Sequence, residues 1–207
     1  MGVSLVSNPP YNMAWNVPDL AGFMPQYQGF TIPPKQNANY AFVMAALYMV
    51  DGKAAFLLPN GVMTASTKEE TQIRQQMVSG NLISAVITLP DSMFESTSIP
   101  VCIVLFEKNR QTRKIEMVDL RNSYETEIRD QRGQYGGESH TGRTYHKEVK
   151  VITEETMQMV IKAIQDHESV QGICCSVLPE EIAKNDYNLV PARYIEQVPI
   201  EEKHRSY

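Results

Sequence analysis

Four short runs of this chain are apolar along nearly their whole length: residues 53–58 (Lys-Ala-Ala-Phe-Leu-Leu), 82–89, 101–106 (Val-Cys-Ile-Val-Leu-Phe) and 115–120. A strand with one wet face alternates polar and apolar residues, so runs of this kind imply strands covered on both faces. Helical signals surround them. Asn37 or Asn39 can cap a helix to about Val50, apolar on nearly every side. Thr67-Lys-Glu-Glu70 is a capping box opening a helix with Ile73, Met77 and Val78 as its stripe, ending near Gly80. Thr153, followed by Glu154 and Glu155, opens another with Met157, Val160, Ile161 and Ile164 at helical spacing. Residues 172–178 read as a strand and 179–184 as a short helical turn. Only a loop separates 82–89 from 101–106, which makes them antiparallel neighbours. The fold class is therefore α/β, a mostly parallel open sheet with an antiparallel strand at one edge.

Composition excludes several alternatives. The longest apolar run, residues 41–50, is too short to cross a bilayer. The N-terminus lacks the basic, apolar and small-residue order of an export signal. Three cysteines, two of them adjacent (Cys102, Cys174, Cys175), make no disulfide framework and suit a reducing, cytoplasmic setting. No Cys/His spacing suits a metal, so none is expected. A net charge of −5 argues against a surface that binds nucleic acid all over. Residues 108–150 nonetheless hold ten Lys/Arg against seven Asp/Glu, while the remainder holds nine against seventeen. A DNA-facing surface is expected in or near that stretch, or on another chain.

The chain divides into a globular part at 1–120, a polar insertion at 121–150 that is expected to be mobile, and a helical appendage of the same domain at 151–207. Within the insertion, residues 130–142 hold four glycines among polar and charged residues and are expected to be mobile. Residues 11–36 carry Pro, Gly and the aromatics Trp15, Phe23, Tyr27 and Phe30 without periodicity, the composition of a structured loop packed over a site.

Residues 2–7 form a strand-like segment stopped by Asn8-Pro9-Pro10-Tyr11. This arrangement suits chemistry at an exocyclic amine. The lone pair of such a nitrogen is delocalised into the base, which makes it a poor nucleophile. Two acceptors in the ring plane, the Asn8 side-chain oxygen and the Pro9 carbonyl, hold both amine hydrogens and favour the geometry that frees the lone pair. The two prolines fix φ near −65° and remove two donors, stiffening the carbonyls. Tyr11 offers a ring face on which a base extruded from a duplex can stack. As a bare tetrapeptide it is equally a turn after a strand. Its place at the C-terminal end of a strand, where open sheets bind ligands, favours the chemical reading.

The resemblance extends beyond this motif. Val6-Ser-Asn-Pro-Pro-Tyr-Asn-Met-Ala-Trp15, Ile32-Pro-Pro-Lys-Gln-Asn-Ala-Asn-Tyr-Ala-Phe42, Gly52-Lys-Ala-Ala-Phe-Leu-Leu-Pro-Asn-Gly61, Leu89-Pro-Asp-Ser-Met-Phe94 and Asn185-Asp-Tyr-Asn-Leu189 occur in the order and spacing of type I restriction-modification modification subunits. The chain resembles the C-terminal half of their Rossmann-like, S-adenosylmethionine-dependent adenine-N6 methyltransferase domain. The resemblance implies that Asn8, Pro9, Pro10 and Tyr11 are catalytic, that Tyr11 and Phe94 stack on the target base, and that Asn8 and Pro10 touch S-adenosylmethionine. Read bare, Phe94 is a core aromatic. Lys35, Asn37 and Asn39 face the site or DNA, or are a polar loop and helix cap, the latter being favoured; Pro59-Asn60-Gly61 is a strand-end turn.

Members of that family carry a Gly-rich cofactor loop and an acidic residue on earlier strands, and no G-x-G follows an apolar strand in this sequence. The expectation is a piece that lacks most of the donor's pocket and is inactive by itself. Partners implied are double-stranded DNA and the specificity and restriction subunits, with self-association through an exposed sheet edge and no membrane. The competing reading is a non-catalytic module docking to those subunits.

Overall fold

The structure, a computed structural model, describes residues 4–94, 99–132 and 144–196. Its elements in chain order are β1 (Leu5–Ser7), α1 (Asn39–Met49), β2 (Lys53–Pro59), α2 (Gly61–Thr64), α3 (Lys68–Ser79), β3 (Ile83–Thr88), β4 (Val101–Glu107), β5 (Ile115–Asp119), β6 (Glu125–Arg132), β7 (Thr144–Val151), α4 (Glu154–Asp166), β8 (Cys174–Val177) and α5 (Pro179–Lys184). Six strands make one sheet in the order β1-β2-β4-β3-β5-β8. Four of them, β1, β2, β3 and β5, point the same way. The antiparallel ones are β4, which pairs with β2 on one side and β3 on the other, and β8 at the edge beside β5. The mostly parallel sheet with an antiparallel edge strand is thus present, but residues 101–106 lie inside it. The short connection from β3 forces β4 to run antiparallel, and its apolar residues on both faces favour a central position.

The sheet has cover on both faces. On one, Phe56, Leu58, Val104, Phe106 and Met117 meet Tyr40, Met44, Ile73 and Met77 from α1 and α3, with Ile182 and Leu189 from the C-terminal part, all buried. Phe56 and Phe106 pack edge to face with centroids 5.8 Å apart. Burying side chains of this size stabilises the fold by roughly 1.5–3 kcal/mol each. On the other face, Ile87, Val101, Val118 and Cys174 meet Val160 and Ala163 of α4. The stripe of α4 is only partly absorbed, since Met157 and Ile161 are exposed. Residues 151–196 contribute β8 and buried side chains to the main sheet and its core.

Two helix caps behave as their sequence implies, with one difference. Thr153 Oγ1 accepts from Thr156 N at 3.2 Å and opens α4. Thr67 Oγ1 accepts from Glu70 N at 3.4 Å, but Glu70 reaches back to the Thr67 hydroxyl, 2.6 Å away, and not to its amide. α1 differs more: Ala38 stands at its N-cap and neither Asn37 nor Asn39 caps it. Both side chains have stronger claims elsewhere: Asn37 donates to Glu70, and Asn39 turns to the loop described below.

Residues 125–132 and 144–151 pair as a two-stranded antiparallel ribbon. Their polar composition hides the strands, because a ribbon that is wet on its exposed face carries no apolar run. Residues 133–142 of the stretch expected to be mobile lie outside the described residues. The ribbon is tied to the loop after β3: Lys150 bonds Asp91 and lies over the Tyr124 ring, 4.5 Å from its centroid.

Candidate active site

β1 pairs in parallel with β2, Ser7 opposite Phe56, and delivers Asn8 to Tyr11 at the C-terminal end of the sheet. Pro9 is buried, Asn8 and Pro10 are exposed, and Tyr11 is half-buried against a cluster that includes Leu57, Ile103 and Met93. The Tyr11 hydroxyl donates to Asn8 Oδ1 at 2.7 Å. Burial, reinforced by the Cys102 sulfur, raises the phenol above its ordinary value, so Tyr11 stays a neutral donor. The Asn8 oxygen is therefore an accepting group already engaged by a donor, at an exposed position an incoming amine can reach.

The loop at 11–36 is structured. Ala21 and Tyr27 are buried, and Trp15 packs on Tyr27 at 6.1 Å. Residues 12–15 are stitched to the segment leading into α1. Ala38 N donates to Met13 O at 2.8 Å, Trp15 N to Lys35 O at 3.0 Å and Trp15 Nε1 to Pro34 O at 3.0 Å. Asn39, 1% exposed, accepts from Asn12 N and donates to Asn12 Oδ1, both at 3.0 Å. Asn12 sits at φ +52°, a left-handed position that asparagine tolerates. Of the two roles open to Asn39 from the sequence, a helix cap or a residue facing the site or DNA, the cap is not made, and Asn12, directly after the motif, carries the turn.

Phe94 lies in the loop after β3, at the same end of the sheet as Tyr11, and is 37% exposed. Its neighbour Met93 packs on the cluster that holds Tyr11. Among the described residues no ring pairing joins Tyr11 and Phe94. Lys35 is exposed. Asn60 follows β2 as part of a turn, its amide donating to Pro100 O at 2.9 Å. Asn185-Asp-Tyr-Asn-Leu189 is a structural knot. Asp186 and Tyr187 adopt left-handed φ, Leu189 is fully buried, and Tyr187 O accepts from Arg74 Nε at 2.9 Å.

Two other features are not the site. A trough of about 660 Å³ lies at the opposite ends of the strands, lined by Val6, Ala55, Leu105, Arg110 and His167 among others. Open α/β sheets bind ligands at their carboxyl ends, and this is the amino end. Beside it Glu116, buried, accepts from Ser176 Oγ at 2.7 Å and lies 2.7 Å from His167 Nδ1. The serine donates to the carboxylate and not to the histidine, so this is no nucleophile–base pair.

A methyl-donor pocket needs backbone that approaches the ligand closely. Gly22, Gly29 and Gly61 have no atom within 4 Å of where a Cβ would stand, so no protein backbone or side chain packs against them. Among strand-end carboxylates, Asp119 is bound by Arg121 at 2.7 Å.

Comparison with known proteins fits this geometry. A family model described as N-6 DNA Methylase matches residues 3–203. The MjaVII methylase subunit of a type I restriction enzyme from Methanocaldococcus jannaschii is 30% identical, over 96% of this chain and 33% of the relative. The HindI methylase subunit from Haemophilus influenzae is 27% identical, over 79% of this chain and 35% of the relative. Among solved structures, a type I restriction-modification methyltransferase subunit from Streptococcus thermophilus superposes with a TM-score of 0.79 at 26% identity, covering 94% of this chain and 38% of that one. A modification subunit of a putative type I restriction enzyme from Vibrio vulnificus, 16% identical with a TM-score of 0.57 over 86% of this chain and 34% of that one, supports the fold alone. The chain spans about a third of the length of the curated relatives it matches. With the family model matching nearly its whole length, this chain belongs to the N-6 DNA methylase family.

Proposed function

We propose that residues 8–11 form the target-base side of an adenine-N6 DNA methyltransferase site of the type I restriction-modification kind. The observation that carries this reading is the placement of Asn8 and Tyr11 together at the carboxyl end of β1, the Tyr11 hydroxyl on Asn8 Oδ1. An adenine extruded from the duplex stacks on Tyr11, and its N6 hydrogens replace the phenol at Asn8 Oδ1 and engage the Pro9 carbonyl. Accepting both N–H bonds leaves more electron density on the nitrogen and orients the amine, and as it pyramidalises the hydrogens stay bonded to the two acceptors while the lone pair turns towards the methyl group. Phe94 closes the second face of the base from the loop after β3. S-adenosylmethionine supplies an electrophilic methyl group, with Asn8 and Pro10 as this chain's contribution to its wall. Most of the donor pocket is supplied from outside these residues, together with DNA-site choice by a specificity subunit and pairing with a restriction subunit. A second reading, docking without catalysis, is favoured by the exposed Met157 and Ile161 on α4 and Val6 on the edge strand, which also suits self-association.

Plasmid DNA incubated with donor, this chain and a polypeptide supplying the rest of a type I methylase subunit tests the reaction class. Sequencing is expected to map N6-methyladenine at a defined site. Methylated cytosine instead contradicts the proposal, and no product beyond that of the complementing polypeptide alone contradicts it and favours docking.

A further inference from the structure

We propose that Asn39 is a positioning residue for the adenine pocket, fixing the turn that aims Asn8 and Tyr11; this rests on the reading of residues 8–11 above. Asn39 is the first residue of α1 yet leaves the helix's own amides alone. Its primary amide closes a two-bond ring with Asn12, accepting from the backbone N–H and donating to the side-chain oxygen, each at 3.0 Å. An amide carries its donor and its acceptor on separate atoms, so Asn39 makes both contacts at once without a titratable group. Asn12 directly follows Tyr11 and holds φ +52°, so the ring fixes the dihedral at which the chain leaves the motif. The Ala38–Met13 and Trp15–Lys35 backbone bonds continue the seam, so the motif is held against a buried helix start, a rigid element.

The burial is one-sided. Asn39 is enclosed and Asn12 is exposed. Removing the Asn39 amide therefore leaves the Asn12 groups to water, and the fold persists while the turn loosens. A loosened turn misplaces the Tyr11 ring and the Asn8 oxygen relative to a bound base, which lowers the rate of reaction more than the affinity for DNA, most of which comes from other contacts.

The test uses the complemented methyltransferase and a mapped DNA site. Asn39→Leu is expected to lower kcat by roughly 10–100-fold while KM for DNA moves by less than about threefold. Asn39→Asp, which keeps an acceptor for Asn12 N and meets a turned-over Asn12 amide, is expected to recover most of that loss. Asn12→Gly tolerates the left-handed turn and removes only the side-chain half of the ring. In that background Asn39→Leu should cost less than in the parent, because the two residues act as one unit. A kcat within twofold for Asn39→Leu, no advantage of Asp over Leu, or losses that simply multiply would each overturn the proposal. Asn8→Ala run alongside separates the two levels. If it retains full activity, the reading of residues 8–11 fails; if it is inactive while Asn39→Leu is not, only this inference fails.

Discussion

Arg74 provides the sharpest stability test of the packing behind the site. The guanidinium, 2% exposed, donates to Tyr187 O at 2.9 Å, to Ala65 O at 2.7 Å, to Val62 O at 3.3 Å and to Thr71 Oγ1 at 3.4 Å. It thereby joins α3, the end of α2 and the knot at residues 185–189. In Arg74→Met the stem is kept and the head is lost. Val62 O retains the Tyr40 hydroxyl at 2.8 Å, but Tyr187 O and Ala65 O lose their guanidinium partners in a protected setting. At about 1–3 kcal/mol per buried group left unpaired, and with Glu70 buried nearby, the cost is about 4 kcal/mol. With a urea m-value of roughly 2–3 kcal/mol/M, the unfolding midpoint should fall by about 1.3–2 M. Arg74→Lys should recover less than half of this, because one ammonium cannot span the fork. A midpoint shift below about 0.3 M for Arg74→Met would show that these carbonyls are satisfied without the guanidinium.

Two further outcomes are expected. Thr67→Ala removes the cap of α3 and should destabilise the chain by about 1 kcal/mol in the same urea titration, with no effect on DNA affinity. Burial pushes the Cys102 and Cys174 thiols up to about 12 and Cys175 to about 11, from 9.0. The folded state thus holds protons that the unfolded chain releases. This contribution to stability is full below about pH 9 and is lost as the pH climbs through 11 to 12. Alkaline titration should show a falling unfolding midpoint over that window, and at pH 8 a thiol reagent should leave Cys102 and Cys174 unmodified in the native protein while labelling all three in urea.

The sheet was legible because burial on both faces writes itself as continuous apolar runs, as at residues 53–58 and 101–106. The position of residues 101–106 inside the sheet was not, since strand order is decided by contacts distant in sequence. The ribbon at 125–132 and 144–151 escaped notice because one exposed face of polar residues looks like a loop. The placement of Asn8 and Tyr11 at the end of β1 was readable from the strand that precedes them, and their role is the proposal made above. Asn39 was not readable: an asparagine before a helix has a cap as its ordinary role, and only the fold brings Asn12, 27 residues away, within reach of its amide. Phe94 lies in the loop after β3, as the resemblance implies, and its closure over a base is part of the proposal.

The central claim is that Asn8 activates the target amine. Single-turnover methylation of a mapped DNA site, with the complemented enzyme in excess, isolates that step from binding and product release. For Asn8→Ala the account predicts a methylation rate constant lower by about 100–1,000-fold or more, the scale set by losing one transition-state hydrogen-bond partner, with DNA affinity within about threefold of the parent. A rate constant within about tenfold of the parent would contradict it.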